Sequence, residues 1–150
     1  MLRIDSALTD AQEAIVRETI SSGIEVHRNL GPGYKEPIYG TAFCLELESR
    51  GMKFEREKAI DVRYKQWTIP GQRIDLIVEG LVIVELKAVS KLKEIHRRQV
   101  LSYLKSTGLP VGLVMNFNTV MLKNGLMRVV LQPNAKPSRS DDLRDLGENA

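Results

Sequence analysis

The sequence predicts an α/β domain with a mixed central sheet flanked by helices, and three observations predict it. Two helical patterns open the chain, strand-length apolar segments fill residues 52–87, and a further helical pattern leads into the near-continuous apolar run Val111 to Phe117. The passage from helical spacing to simple alternation marks where helix gives way to strand. Short turns join antiparallel neighbours, whereas a helix between two strands is the connection that a parallel pair requires. The expected order is helix, helix, three antiparallel strands, helix, a parallel strand and one more strand.

Helix one is expected from Thr9 or Asp10 to Arg28, with Thr9 as N-cap and Gln12 completing a capping box. Ile15, Thr19, Ser22 and Val26 follow one face, with Ile20 and Ile24 on its flank. Asn29-Leu30-Gly31-Pro32-Gly33 then stops it in a tight turn. Helix two should cover Lys35 or Glu36 to Ser49, with Gly51 as the left-handed residue after it. Ile38, Ala42, Leu45 and Ser49 are spaced for burial, with Phe43 and Leu47 beside them. Glu36 falls in the first turn, where free backbone N–H groups favour a carboxylate, and Tyr39 reads as packing against helix one. Neither placement requires any chemistry.

Met52 to Tyr64 reads as a strand, Tyr64-Lys65-Gln66-Trp67 as a hairpin turn, and Pro70-Gly71 as a bulge or edge position in the next strand. Gln72 to Lys87 then holds two apolar runs separated at Glu79-Gly80, with the alternation broken by charge at Asp75, Glu85 and Lys87. A three-residue turn over Glu79, Gly80 and Leu81, with Gly80 left-handed, sets Asp75 opposite Glu85. Ile74, Leu76 and Val78 then oppose Leu86, Val84 and Val82 on one aliphatic face, and Ile77 meets Ile83 on the other. A two-residue turn would slip the pairing and mix polar with apolar on both faces, so the pattern favours the longer turn.

After Lys87 a helix is expected from Leu92 to Thr107, ended by Gly108 and Pro110. Val100, Leu101 and Leu104 point to one side, while His96, Gln99, Tyr103 and Ser106 form a polar stripe. Val111 to Phe117 reads as a strand buried on both faces. Met121 to Leu131 reads as a small hairpin around Asn124-Gly125. Residues 1–132 are expected to form one domain, and the polar residues 133–150 a flexible tail.

Composition narrows the function classes. The net charge of +3, from 22 basic and 19 acidic residues, leans only weakly toward polyanions. Cys44 is the one cysteine, which leaves no internal disulfide and no thiolate zinc site. The N-terminal segment lacks a signal-peptide core, and no apolar run approaches the roughly 18 residues of a membrane span. A cytoplasmic protein is expected, with no membrane partner.

Two carboxylates facing each other on adjacent strands repel unless a proton or a cation lies between them. As a purely structural feature, Glu85 and Lys87 would be solvated strand-end charges and Asp75 a guard against edge pairing. The surrounding residues are too aliphatic for an exposed hairpin. The functional reading is a site for a hard divalent cation, with Asp75 and Glu85 as oxygen ligands and Lys87 orienting or activating a water.

In this order the elements resemble the restriction-endonuclease-like fold, and Asp75 with Glu85-Leu86-Lys87 resembles the split motif of the PD-(D/E)xK nucleases. More closely, Gly33-Tyr34-Lys35-Glu36-Pro37-Ile38-Tyr39 is similar to the signature of the GxxExxY proteins, a small branch of that superfamily. The likeness covers Ala11 to Val130 and is made specific by Gln99 and Tyr103, which resemble the QxxxY motif of the RecB-like and lambda-exonuclease-like branch. The resemblance implies that Asp75, Glu85 and the Leu86 carbonyl bind Mg2+ or Mn2+ and that Lys87 holds the attacking water. It implies that Glu36 completes the site through water or a second ion, and that Gln99 and Tyr103 help to hold the site and a nucleic-acid strand. His27 resembles an accessory active-site histidine. Where the family often has proline before its first acid, this chain has Ile74.

Each assignment has a structural alternative. Gln99 and Tyr103 could be half-buried packing joined by a hydrogen bond, and His27 a satisfied buried histidine. Arg73 could touch phosphate or pair with Glu85 or Glu36. Lys91, Lys93, Arg97 and Arg98 could meet phosphates or form a solvated face. Gly31 and Gly33 follow a helix and not a strand, which removes a nucleotide-loop reading. The function implied is metal-dependent hydrolysis of nucleic acid, DNA before RNA, acting on ends or single strands. The alternatives are a catalytically silent nucleic-acid- or protein-binding module on the same fold and a structural dimer subunit using Val129 to Leu131 as an edge. So small a domain leaves little surface for sequence recognition, and a partner or homo-oligomer is the expected source of specificity.

Overall fold

In the computed structural model, which describes residues 7–131, Thr9 caps the first helix as predicted. Its hydroxyl accepts from Gln12 N–H at 3.1 Å while Gln12 Oε1 accepts from Thr9 N–H at 3.0 Å. Helix α1 (Asp10–Leu30) runs a half-turn beyond the expected Arg28 and buries Val16, Thr19, Ser22, Gly23 and Val26. Helix α2 (Glu36–Ser49) follows. It presents a different face from the expected one: Tyr39, Gly40, Phe43 and Leu47 are buried, whereas Ile38 and Leu45 are 49% and 62% exposed. The helix is apolar nearly all round, so spacing alone could not choose its inner side.

Strands β1 (Phe54–Tyr64), β2 (Trp67–Val78) and β3 (Val82–Lys87) are antiparallel neighbours. Helix α3 (Glu94–Thr107) begins at Glu94 instead of Leu92 and leads to β4 (Val111–Asn116), parallel to β3. The segment read as a hairpin around Asn124-Gly125 is instead a 3-10 turn, Leu122–Gly125, followed by β5 (Leu126–Val130), antiparallel to β4. A Cβ on Gly125 would collide with the Asn116 carbonyl oxygen; that close approach to the end of β4 occupies the place a free hairpin tip would need. The sheet order is β1-β2-β3-β4-β5. Proline and glycine at 70 and 71 do form a bulge, since the register shifts between Ile60↔Gln72 and Val62↔Ile69.

The β2–β3 register is the predicted one over Leu76↔Val84, Ile77↔Ile83 and Val78↔Val82, but the expected pairs Asp75 with Glu85 and Ile74 with Leu86 do not form. Gly80 has the left-handed φ of 60°, but Glu79 shares it at 53°, and Leu81 N–H donates to the Val78 carbonyl at 2.9 Å. Two successive positive φ values follow the twist of the strands, and Leu81 is the extra residue that sets the register. Leu76, Val78, Val82, Val84 and Leu86 pack with Val16, Val26, Phe43 and Leu47 of α1 and α2. Ile77 and Ile83 pack with Val100 and Leu104 of α3 on the opposite face. Ile74 joins this second cluster, not the first as its spacing from Leu76 suggested. The alternation therefore breaks at Asp75. Across from that break, Glu57 takes a positive φ of 53°. The expected tail, residues 133–150, lies outside the described residues.

Candidate active site

The β2–β3 ladder stops at Leu76↔Val84, and beyond it Asp75 Oδ2 accepts from Leu86 N–H at 2.8 Å. The aspartate side chain thus takes a donor of the neighbouring strand's backbone and holds the two strands together where they part. One residue back on β3, Glu85 is 4% exposed. Its Oε1 lies 3.5 Å from Lys87 Nζ, and its Oε2 is buried with no hydrogen-bond partner among the described residues. A buried carboxylate oxygen with no donor is costly unless a proton or a cation stands between it and a neighbouring acid, and Asp75 is that neighbour.

Charge follows from that burial. Loss of solvent and then the Asp75 charge raise the Glu85 carboxyl, Lys87 opposes both, and the balance stands at about 8. Burial also raises Asp75, against the Leu86 N–H, Lys87 and Glu85 interactions that lower it. Glu36, first residue of α2, is raised by burial and then by Asp75, with Lys87 acting the other way. Three carboxylates are therefore grouped around one ammonium, and the group carries more negative charge than it neutralises.

Glu36 and Asp75 line a common cleft with Pro37, Gly40, Arg56, Glu57, Leu76 and Leu86. The Gly33 to Tyr39 segment explains how Glu36 reaches it. Gly33 has a φ of 112°, a conformation that favours glycine. Tyr39 Oη donates to the Gly31 carbonyl at 2.6 Å and accepts from Tyr34 N–H at 3.1 Å. Its ring stacks on Phe117 with centroids 4.5 Å apart. Tyr39 therefore ties down the turn that delivers Glu36, a role more specific than the helix packing read from its spacing.

On the other face, Gln99 Nε2 donates to Tyr103 Oη at 2.9 Å. Burial, then the negative charge of Glu85, push the Tyr103 hydroxyl up to about 12. The pair is both a hydrogen-bonded packing element and a neighbour of the carboxylates, so the two readings of it coincide. His27 stands elsewhere: its Nε2 is 2.7 Å from the Thr119 carbonyl oxygen, its ring lies beside Phe117, and it borders a groove with Ile24, Val120 and Met121. It has the environment of the satisfied buried histidine. Arg73 is exposed and in register with Ala59, and no ion pair among the described residues joins it to Glu85 or Glu36.

Several residues beyond the predicted site members take part in its structure. His96, at the start of the polar α3 stripe, is lowered by burial and by the charges of Lys87 and Lys93, and its Nδ1 accepts from Lys93 N–H at 2.9 Å. Its position three residues before Gln99 was the available signal. Asn116 is in register with Lys87, and its side chain accepts from Val89 N–H at 3.1 Å and donates to the Val89 carbonyl at 2.9 Å. It clamps the chain leaving β3. Arg56 reaches across to α2, donating to Thr41 Oγ1 at 3.1 Å and to the Pro37 carbonyl at 3.4 Å. A Cβ on Gly40 would stand 2.8 Å from Arg56 Nη2.

The donor set fits a hard divalent cation in its chemistry: oxygen ligands, excess negative charge and one buried oxygen lacking a partner. Among the described residues no three His, Cys, Asp or Glu side chains form a metal-binding group by themselves. The pair Asp75 and Glu85 would need further oxygens from backbone or water.

A five-stranded mixed sheet between helices, with a carboxylate hairpin and lysine at its centre, defines a restriction-endonuclease-like domain. Residues 13–129 match the sequence profile of the PD-(D/E)XK nuclease superfamily, and the chain belongs to that superfamily. Nucleases of this kind generally use divalent metals. No curated protein and no solved structure gives a significant match. No helix among the described residues is long and apolar enough to cross a membrane.

Proposed function

We propose that the protein hydrolyses phosphodiester bonds in nucleic acid, DNA before RNA, using Mg2+ or Mn2+ at Asp75 and Glu85. The observation that carries this reading is the buried Glu85 Oε2 without a partner, beside Asp75 and within a chain of a nuclease superfamily. Asp75, Glu85 and the Leu86 carbonyl are the groups to hold the cation, with Glu36 contributing through water. A bound divalent cation supplies charge neutralisation of the phosphodiester and acidifies water.

The chain's own groups do the remaining work. Lys87, 3.5 Å from Glu85 Oε1, holds and orients the attacking water and offsets charge that builds on the phosphate oxygens. Asn116 fixes the backbone beyond Lys87 and so limits where the ammonium can go. Tyr103 retains its proton, being raised to about 12, and serves as a hydrogen-bond donor beside the carboxylates. The test is cleavage of linear, nicked, branched and single-stranded DNA and of RNA with Mg2+ or Mn2+, alongside Lys87→Ala and Glu85→Gln. Cleavage by the parent and loss in both variants are expected. Equal activity in all three overturns the assignment, and nucleic-acid binding without turnover in the parent identifies the silent binding module instead.

A further inference from the structure

Strands β1 and β2 contain 11 and 12 residues, yet β3 pairs with β2 only from Leu76 to Val78. The rest of the hairpin projects past β3 as a two-stranded arm, and every residue from 61 to 71 is exposed. The pairs Tyr64↔Trp67 and Val62↔Ile69 place four apolar side chains on one side of this arm, while Arg63 and Thr68 pair on the other. Tyr64 and Trp67 are 54% and 55% exposed and stack on each other with centroids 6.1 Å apart and planes 19° from parallel. Lys65 Nζ lies 5.4 Å from the Tyr64 ring centroid.

Residues 58–73 carry Lys58, Arg63, Lys65 and Arg73 against Asp61, with Glu55 and Glu57 just before them and Asp75 just after. Lys58 is paired with Glu55 at 3.1 Å, whereas no ion pair among the described residues engages Arg63, Lys65 or Arg73. Exposed aromatic faces hold unpaired bases by stacking, with Lys65 beside the Tyr64 ring to meet their phosphates, while Arg63 lies on the other side of the arm. Duplex bases are already stacked and present no free face.

We propose that the β1–β2 arm is a stacking platform for a single-stranded stretch of the nucleic acid whose phosphodiester lies at Asp75 and Glu85. The inference rests on the nuclease reading of that site. Trp67 stands eight residues before Asp75, roughly 26 Å along an extended strand, and Arg73 lies between them. A strand must be long enough to bridge that span before it gains from the arm.

Trp67 is the single tryptophan of the chain, so its emission reports on the arm alone. The metal-free full chain is titrated with labelled (dT)5, (dT)20 and a 20-base-pair duplex, reading both label anisotropy and tryptophan emission. Saturable quenching by (dT)20, less by (dT)5 and the duplex, is expected. Trp67→Ala should weaken (dT)20 binding on the order of 5- to 100-fold, with Trp67→Phe retaining most of it. Arg63→Ala with Lys65→Ala should lower the salt slope by about 1.4. Binding of (dT)20 without a change in emission, or equal affinity in Trp67→Ala, overturns the platform. So does a Trp67→Ala variant that changes only the sedimentation of the protein, which identifies a self-association surface. Cleavage by the parent with no effect at Trp67 removes the arm proposal alone. Quenching without cleavage removes the nuclease reading alone, and a parent that binds no nucleic acid overturns both.

Discussion

The two halves of β2 make opposite use of similar residues. From Trp67 to Gly71 every side chain is exposed, although Trp67, Ile69 and the paired Val62 and Tyr64 are apolar. From Ile74 to Val78 the apolar side chains are 7% exposed or less. What separates the halves is the number of neighbours: the second has β3 beside it and helices on both faces, and the first has only β1. Asp75 sits at the junction, where the ladder opens and a carboxylate can leave the regular pairing. The comparison teaches that burial in a sheet is decided by what covers a strand, and that a site forms most readily where that cover changes.

The largest expected effect tests the buried half for chemistry. Lys87→Ala should lower cleavage by about 10²- to 10⁴-fold while leaving the melting temperature near the parent's, as measured by single-turnover assays beside thermal unfolding. A comparable loss of fold stability would make Lys87 structural. Next, Ile74→Ala should cost about 2–5 kcal/mol in urea unfolding, whereas Ile69→Ala in the arm should stay within about 0.5 kcal/mol. Similar values for the two would erase the contrast between the halves.

Protonation sharpens it further. With Glu85 raised from 4.5 to about 8, the folded chain keeps a proton that the unfolded chain has released between those values. The stability from that proton is fully present below about pH 4.5 and is lost as pH rises through about 8, by on the order of a few kcal/mol. The raised Asp75 and Glu36 act in the same direction. Urea unfolding of the metal-free chain at stepped pH should show this decline and Glu85→Gln should flatten it. A smaller effect is expected at Tyr39→Phe, which removes the hydroxyl held by Gly31 and Tyr34. It should cost about 1–2 kcal/mol and also reduce turnover by loosening Glu36, while an effect on stability alone would separate the turn from the site.

Much of this arrangement was legible in the residues. Thr9 and Gln12 marked a helix start through a local exchange of hydrogen bonds, and Glu79-Gly80-Leu81 set a register because only one pairing kept both faces consistent. The α3 crossover made β4 parallel to β3. Other features depend on partners distant in sequence. Leu45 and Phe43 are equally apolar, and only the sheet decides which is buried. Asn124-Gly125 is a good hairpin signal, overridden by close packing against Asn116. Ile74 turns to the α3 face across from the positive φ of Glu57, a backbone change on the neighbouring strand that the apolar pattern of β2 does not carry. His96 and Asn116 gain meaning only from the proximity of Lys87 and Val89.

Cation binding at Glu85 is the most direct test of the account. Mn2+ is titrated into the metal-free parent and Glu85→Gln at pH 7, with heat, proton release and DNA cleavage read together. Because Glu85 is raised to about 8, it is largely protonated at that pH, and binding must displace the proton. The account predicts binding with proton release and cleavage that follows occupancy in the parent, with all three lost in Glu85→Gln. Cleavage that proceeds without added cation in the presence of EDTA, or a Glu85→Gln variant that binds and cleaves like the parent, would contradict it.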